Sequence, residues 1–196
     1  MNRQSISVQP VTTAEERSLL TGLWLAASVE SGISPEVASR RASHGAVEVA
    51  LQRPDVHGFI AYLDGAPAGF LVATESVMRF GEGDELVVEQ IYVDRAARRH
   101  GVARALLHTA TGLAERLGFD RIASAVPASA RDANRFFARL GFGPAVTRRV
   151  ASVSAVRRRV APNDLVSSRA RLLHLRRSMR ARGQGGGHEV AADPVR

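Results

Sequence analysis

The sequence predicts an α/β (α+β) fold with a mixed sheet and helices on both of its faces. Strand-like runs, which are β-branched or alternate with polar residues, are separated by segments whose apolar residues recur at helical spacing. Residues 87–117 show both patterns in succession, with the change at Gly101. No internal repeat is visible, and the predicted order is β-α-α-β-β-β-α-β-α-β. That order predicts a mixed sheet.

Capping and turn residues divide the first half of the chain. Thr13 with Glu16 fits a capping box, and Ser34 followed by Pro35 fits the start of a second helix. Asp64-Gly65 is a strong hairpin signal. The predicted elements are, in order, a strand around residues 6–8, a helix ended by Gly32, a helix from 34 closed by Pro54, and strands at 57–63 and 68–77.

Glycine and proline also divide the second half. Gly118 fits a C-terminal helix cap, Pro127 stops a strand, and Gly141 ends a helix. The predicted elements are a central strand ending at 93, a helix at 102–117, a strand at 121–126, a helix at about 130–140 and a last strand at 146–150.

The composition predicts a cytoplasmic protein with a substantial core. The chain has 196 residues, of which 45% are hydrophobic and 23% charged. It has no cysteine, which removes disulfides and a thiol nucleophile. Its N-terminus lacks an apolar signal core, and no apolar run is long enough to span a membrane. All 27 basic residues are arginine, for which coding bias is the simplest explanation.

Positive charge is concentrated in the last quarter of the chain. Residues 1–147 hold 15 arginines and 16 acidic residues, whereas residues 148–196 hold 12 arginines and 3 acidic residues. The extension at 151–196 is predicted to be partly helical, with a short helix carrying Val153, Val156 and Val160 and an arginine-rich helix at 169–182. The residues after it, which begin with a glycine-rich stretch, are predicted to be disordered.

The turn around Gly101 has the composition of an anion-binding site. A strand ending at Val93, a loop and a helix starting at Val102 leave the first amides of the helix without internal partners, and the helix dipole adds positive charge there. Arg98 and Arg99 bring further donors. The expected ligand is a phosphate, most simply the pyrophosphate of a nucleotide cofactor.

Here the chain resembles a known family. Arg98-Arg99-His100-Gly101-Val102-Ala103 fits the Q/R-x-x-G-x-G/A signature of the GNAT N-acyltransferases. Residues 89–93 match the strand that precedes this signature, and residues 133–142 resemble the closing N-x-x-F-[YF]-x-x-L-G-F block. The resemblance covers residues 5–150. It implies a GNAT-like, mostly antiparallel sheet with splayed central parallel strands, formed by a domain at 1–150.

The resemblance also implies acetyl-CoA as co-substrate and a set of residues that bind it. Ile91, Tyr92 and Val93 would offer backbone contacts, although Ile91 and Val93 also fit simple core positions. Asn134 matches a position that hydrogen-bonds the cofactor arm, or is a helix-surface amide. His100 would contact phosphate or solvent. The full predicted set is Ile91, Tyr92, Val93, Arg98, Arg99, His100, Gly101, Val102, Ala103, Arg104, Asn134 and Phe137.

Acyl transfer to an amine requires a base, because a free alkyl ammonium has a pKa of about 10.4. Glu89 is the predicted general base, at a cleft floor where burial would raise its pKa. It could instead be a half-exposed strand residue paired with an arginine. Asp84 and Glu85 are expected to be solvated. Many family members carry a tyrosine as general acid where this chain has Phe137, and neither Tyr62 nor Tyr92 is assigned that role.

The sequence therefore predicts an acetyl-CoA-dependent N-acyltransferase, which moves an acetyl or other short acyl group by direct attack of a primary amine on the thioester. The alternative is a catalytically weak acyl-CoA-binding module whose basic tail binds nucleic acid or an acidic partner. That tail has no aromatic residue to stack on bases. Homodimers are common in the family, but no stretch identifies an interface. No histidine spacing suggests a metal site. The acceptor remains open among small-molecule amines, lysine side chains and protein N-termini.

Overall fold

The computed structural model describes residues 4–77, 84–145 and 149–160, and the chain divides into two compact units, Met1–Gly143 and Pro144–Arg196. The predicted domain ended at residue 150, a few residues beyond this division. The elements of the first unit are β1 Ile6–Pro10, α1 Ala14–Glu30, α2 Pro35–Ser43, α3 Ala46–Leu51, β2 Val56–Leu63, β3 Ala66–Ser76, β4 Glu85–Val93, a 3-10 turn Arg95–Ala97, α4 Val102–Leu117, β5 Arg121–Ser124 and α5 Arg131–Ala138.

The five strands form one sheet in the order β1-β2-β3-β4-β5. Neighbours are antiparallel except β4 and β5, which are parallel. The predicted hairpin joins β2 to β3 through Asp64 and Gly65, which have φ values of +51° and +82°. Two positive φ angles in succession are what a tight turn between twisted strands requires. The mixed, mostly antiparallel sheet confirms the predicted fold class.

Helices cover both faces of the sheet. On one face α4 packs Leu106, Ala110 and Leu113 against Leu71 and other core residues of the strands. On the other face α1 buries Leu20 and Ala27 against Ile60 and Phe70. Ile60 and Phe70 are each adjacent in sequence to a residue of the first cluster, as the alternation of a strand with two covered faces demands.

A β-bulge interrupts this alternation in β4. Val72 of β3 pairs with Gln90, whereas the next residue, Ala73, pairs with Val88, so Glu89 is an extra residue in β4. The core face of β4 changes phase as a result. Leu86 and Val88 pack under α4 before the bulge, and Ile91 and Val93 do so after it. A bulge redirects a side chain at the point where it occurs, and here that side chain is Glu89.

The predicted second helix is wrong in its extent, because the segment from 34 to 54 forms two helices. α2 ends at Ser43, and α3 begins at Ala46. Gly45 lies between them with a φ of +66°, a left-handed conformation that interrupts a helix. Both predicted helix starts are confirmed, since Glu16 and Thr13 bond reciprocally in a capping box and Ser34 accepts from the N–H of Val37.

Two strand predictions also differ from the structure. β5 ends at Ser124, two residues before the predicted end. Of the predicted last strand, residues 146–148 lie outside the described residues, and Arg149 and Val150 are not in a strand. Glu85, expected in a solvated loop, is the first residue of β4 and is only 2% exposed, with Arg121 3.8 Å from its carboxylate. Strand pairing begins earlier than the apolar pattern indicated, and it buries this carboxylate.

The second unit contains α6, Val153–Val160, which confirms the predicted short helix. Val153, Val156 and Val160 are all exposed on it. The predicted arginine-rich helix at 169–182 and the disordered end lie outside the described residues. Among the helices of the described ranges, none combines the length and apolar character needed to cross a bilayer.

Candidate active site

The end of β4 has an edge that β5 does not cover. Parallel pairing runs from Glu85 with Arg121 to Val88 with Ser124 and stops there, while β4 continues to Val93. This confirms the predicted separation of the central parallel strands. Residues 89–93 therefore keep strand partners only on the β3 side, and within the described residues no strand pairs with their other edge.

Backbone alternation decides which residues use that edge. The N–H of Asp94 donates to the carbonyl of Ala68 at the end of β3, 2.9 Å away. Because strand amides alternate in direction, Tyr92 also turns its N–H toward β3, and Ile91 and Val93 turn theirs toward the uncovered edge. Of the three residues predicted to offer backbone contacts, Ile91 and Val93 have the required direction.

The side chains of Ile91 and Val93 pack against the core under α4. Tyr92 packs on the opposite face, with its ring centroid 6.0 Å from that of Phe70. The two interpretations of Ile91 and Val93, backbone contact and core packing, are thus compatible, because one concerns the main chain and the other the side chain.

The turn between β4 and α4 carries a row of backbone N–H groups without acceptors. Arg99 and Gly101 have φ values of +68° and +93°, and α4 begins at Val102 with no side-chain cap. Within the described residues, no oxygen accepts from the backbone N–H groups of residues 99–104. An added Cβ at Gly101 would meet only Ile6 Cδ1, at 3.6 Å, so neighbouring side chains do not fill the turn. These amides and the dipole of α4 suit an anion.

The side chain of Arg98 is committed to the protein. Its Nε donates to the Val93 carbonyl at 3.0 Å, and its Nη2 donates to Glu30 Oε1 at 2.5 Å. Arg95 Nε lies 3.1 Å from the same oxygen. Sequence analysis expected Arg98 to direct its donors at the phosphate, but it joins the turn to the end of α1. Arg99, His100 and Arg104 are exposed, and Val102 is buried.

Glu30 is a functional candidate that sequence analysis missed. The hydrogen bond from Arg98 is the main cause that lowers the pKa of Glu30 below its ordinary value, and the bond from Arg95 adds to it. Burial, followed by the charges of Glu30 and Asp94, raises the pKa of Tyr92. Glu30 and Arg98 are separated by 68 residues, and no local pattern connects them.

Asn134 and Phe137 lie on α5, as predicted. Asn134 Nδ2 donates to the carbonyls of Pro127 and Ala130, both at 2.9 Å, and so holds the connection between β5 and α5. Its Oδ1 remains available to a ligand. Phe137 is 6% exposed and meets Phe136 and Phe142 edge to face, at centroid distances of 5.4 and 5.0 Å.

Glu89 lines a pocket formed by three sheet residues at the bulge, Val72, Glu89 and Gln90, and by the segment that holds the first three helices. The volume of this pocket is about 660 Å³. Glu89 is exposed, so the expectation that its carboxylate is buried at the floor of a cleft is wrong. Within the described residues no arginine pairs with it, so its predicted alternative as an ion-paired residue has no support. The lining residues are Trp24, Val37, Arg40, Arg41, His44, Ala46, Val47, Ala50, Leu51, Val72, Glu89 and Gln90.

Most of these lining residues could not be selected from the sequence. Val37, Arg40 and Arg41 are on α2, His44 caps it, and Val47 is on α3. They meet because the helical segment breaks at Gly45, which the sequence analysis did not predict. In the described part of the chain, no three His, Cys, Asp or Glu side chains are grouped as ligands for a metal ion.

The fold occurs in many solved acetyltransferase structures. A CoA complex of the aminoglycoside N-acetyltransferase AAC(6')-Iy is 21% identical, with a TM-score of 0.58, over 76% of this chain and 93% of that one. An aminoglycoside acetyltransferase from an uncultured soil metagenomic sample is 23% identical, with a TM-score of 0.63, over 76% of this chain and 99% of that one. A ribosomal-protein-alanine N-acetyltransferase from Brucella melitensis biovar Abortus 2308 is 17% identical, with a TM-score of 0.59, over 76% of this chain and 99% of that one. At these identities the likeness concerns the fold.

The family itself is shown by the sequence. No protein among the curated sequences matches the chain significantly. The family model described as the acetyltransferase (GNAT) family matches residues 24–142, which include the β4 edge, the turn with its unpaired amides and α5. The chain belongs to the acetyltransferase (GNAT) family.

Proposed function

We propose that this protein is an N-acetyltransferase that moves an acetyl group from acetyl-CoA to a primary amine by direct attack. One observation supports it above all: a turn with six backbone N–H groups free of acceptors within the described residues follows a strand whose edge is uncovered, and that strand also carries a carboxylate into a pocket. The unpaired amides suit a diphosphate, the uncovered strand edge suits the arm that carries the thioester, and the carboxylate suits an amine.

The residues at the turn fit the diphosphate of CoA. The amides of 99–104 and the N-terminal end of α4 supply donors and partial positive charge, and exposed Arg99, His100 and Arg104 surround them. In this proposal Gly101, Val102 and Ala103 act through their main chain. Arg98 acts by fixing the turn against Glu30 rather than by contacting phosphate.

The N–H groups of Ile91 and Val93 suit the arm and the reacting end of the cofactor, because they face the uncovered edge of β4. Acetyl-CoA, when bound, supplies the thioester carbonyl. A fixed N–H beside it stabilises negative charge on oxygen without reorganisation, which is the usual benefit of such a donor. Asn134 Oδ1 is a further acceptor for the amide groups of the arm.

Glu89 is the proposed general base. It takes the proton that the acceptor ammonium must lose, either directly or through one water molecule. Its exposure within the pocket gives an entering amine access, and the bulge directs its side chain away from the core. Phe137 has no hydroxyl, and the Tyr92 hydroxyl interacts with Glu30. We therefore assign no side chain as the acid for the departing thiolate.

Titration calorimetry with acetyl-CoA tests the cofactor site. We expect micromolar binding by the wild type, loss of binding in Gly101→Glu and retention in Gly118→Glu. The two glycines are matched, because they cap opposite ends of α4 with φ values of +93° and +78°, so only the first places a carboxylate at the proposed phosphate site. Equal loss in both variants, or no binding by the wild type at high micromolar ligand, would reject the site.

Turnover is tested by following the free CoA thiol with a panel of primary amines. Release of CoA with any amine would reject the alternative of a binding module that has lost activity.

A role of residues 161–196 in binding nucleic acid is tested separately, by a gel shift that compares the full-length protein with a chain ending near Ala161. Identical mobility with both proteins would show that the basic tail binds no nucleic acid.

A further inference from the structure

The pocket around Glu89 is apolar along most of its wall. Its aliphatic and aromatic lining comes from α1, α2, α3 and β3, and includes Trp24, Val37, Val47, Leu51 and Val72. A pocket of about 660 Å³ accommodates a small molecule of ordinary size. Such a wall favours a ligand with an apolar body, because each buried apolar group contributes to binding.

Two guanidinium groups and an imidazole line the same pocket. Arg40, Arg41 and His44 lie at the end of α2, and Glu89 is the only carboxylate among the lining residues. Cations at the last turn of a helix are favourable on any surface, because they complement its dipole. That explanation accounts for their presence on the helix, but not for their convergence on a pocket with an apolar wall.

The charges of Arg40 and Arg41 are not used within the described residues. Five other arginines there form ion pairs, namely Arg53, Arg95, Arg98, Arg121 and Arg135. Arg40 and Arg41 have no carboxylate within ion-pair distance among the described side chains. Glu36, one turn before Arg40, instead has its pKa lowered by its own backbone N–H and by the Ser34 hydroxyl.

His44 is held in a defined orientation. Its Nδ1 lies 2.5 Å from the Arg40 carbonyl. A carbonyl oxygen only accepts hydrogen bonds, so Nδ1 carries a proton, and Nε2 can donate to an anion when the ring is protonated at both nitrogens. The end of α2 thus combines two unpaired guanidinium groups with one oriented imidazole. This is the chemistry that proteins use to bind a carboxylate or a phosphate.

We infer that the acceptor is a primary amine whose apolar body also carries an anionic group, which Arg40 and Arg41 bind, with the imidazolium form of His44 as a further donor. The amine is then at the Glu89 end of the pocket and the anion at the α2 end. This inference rests on the proposed acetyl transfer, and it names the acceptor class of the same site. A polyamine fits poorly, because the pocket lining holds two guanidinium groups and only one carboxylate.

The inference is tested with amines of one shape and different charge. 4-(Aminomethyl)benzoate and 4-(aminomethyl)benzamide are nearly isosteric, and 4-(aminomethyl)benzamidine is the cationic counterpart. With saturating acetyl-CoA, we expect kcat/KM for the benzoate to exceed that for the benzamide about tenfold or more, and the benzamidine to be the poorest. 4-(Aminomethyl)phenylphosphonate shows whether the site favours a phosphate-like group over a carboxylate.

Charge-removing variants assign the preference to α2. Arg40→Gln and Arg41→Gln should each reduce the benzoate-to-benzamide ratio severalfold, without changing the Kd for acetyl-CoA. Arg116→Gln is the matched control, because Arg116 is also in the last turn of a helix but does not line the pocket. A ratio near one in the wild type, or a ratio that survives both α2 variants, would overturn the inference.

A binding measurement separates this inference from the proposed reaction. The same compounds are titrated into the wild type without acetyl-CoA, by ligand-observed NMR, so no turnover is required. Selective binding of the two anionic amines supports the acceptor class even if no CoA is released, in which case the transfer alone fails. No selectivity between benzoate and benzamide at millimolar concentration overturns the acceptor class, whether or not the enzyme transfers acetyl groups.

Discussion

The turn at 98–104 and the pocket beside α2 are built from different parts of the chain. The turn offers backbone N–H groups, and its shape depends on two residues with positive φ, Arg99 and Gly101. The pocket offers side chains from three helices and two strands. A site made of backbone N–H groups keeps its donors when side chains are substituted, so it can bind the same chemical group in many related proteins. A site lined by side chains changes the ligand it prefers when those side chains are substituted. The proposed assignment, with the cofactor at the turn and the acceptor in the pocket, matches this difference.

Replacing Glu89 would separate the two regions most strongly. In Glu89→Gln the side chain keeps its size but cannot accept a proton, so we expect kcat to fall by about 10²–10⁴-fold. The Kd for acetyl-CoA should not change. The measurement is thiol release together with calorimetry, and Glu48→Gln, an exposed carboxylate on α3 outside the pocket lining, is the control. A kcat equal to that of the wild type would exclude Glu89 as the base.

Replacing Gly101 by alanine tests the turn rather than the pocket. Gly101→Ala and Gly118→Ala each force alanine into a left-handed conformation, at a cost of about 1–2 kcal/mol. Urea unfolding should show this loss in both variants. Only Gly101→Ala should also weaken acetyl-CoA binding, by about tenfold, because relief of the strain tilts the amides of the turn. If the two variants bound acetyl-CoA equally, the turn would not be the binding site.

Replacing Glu30, which holds Arg98 and Arg95 beside the turn, should have a smaller effect. Glu30→Gln removes the charge that holds Arg98 and Arg95, in a partly exposed ion pair of the kind that contributes about 0.5 kcal/mol. We expect the Kd for acetyl-CoA to rise about twofold to threefold, with kcat nearly unchanged. Asp132→Asn, which breaks the exposed pair with Arg135, is the control. A lower Kd would mean that Arg98 binds phosphate better once it is released.

The capping box of α1 should affect stability and neither site. Hydrogen bonds from the backbone N–H groups of Thr13 and Thr12 lower the pKa of Glu16 to about 2, from an ordinary 4.5. A carboxyl group with a lowered pKa stabilises the folded state at any pH above its pKa in the unfolded chain. That stabilisation is lost as the pH falls through its pKa in the folded protein. Glu16→Gln should therefore have a slightly lower Tm at pH 7, and the difference should disappear between pH 4.5 and about 2. A difference that persisted at pH 2 would contradict this.

The parts of the fold that the sequence predicted correctly depend on short-range rules. The capping box, the hairpin at Asp64-Gly65 and the turn at Gly101 each require particular residues within a few positions of one another. Their backbone conformations leave few alternatives. For the same reason the turn between β4 and α4 could be located from six consecutive residues.

The pocket beside α2 could not be located in this way, for two physical reasons. Arg40 and Arg41 fit an ordinary helix end, and only the packing of α2 and α3 after the break at Gly45 makes them pocket residues. The bulge at Glu89 was also hidden, because both faces of β4 are apolar and its alternation is not visible in the sequence. The ion pair of Arg98 with Glu30 is a tertiary contact without a local signal.

The extra residue in β4 has a consequence for changes in the length of this strand. Deleting Glu89 would remove a carboxylate and leave a regular ladder, in which Val88 and Gln90 become consecutive residues opposite Ala73 and Val72. Ile91 and Val93 would keep their partners in β3, and therefore their burial and their amide direction. A one-codon deletion at this position would thus remove the proposed base and spare both the core and the uncovered edge. Related chains that lack this residue should therefore retain the fold while losing the carboxylate.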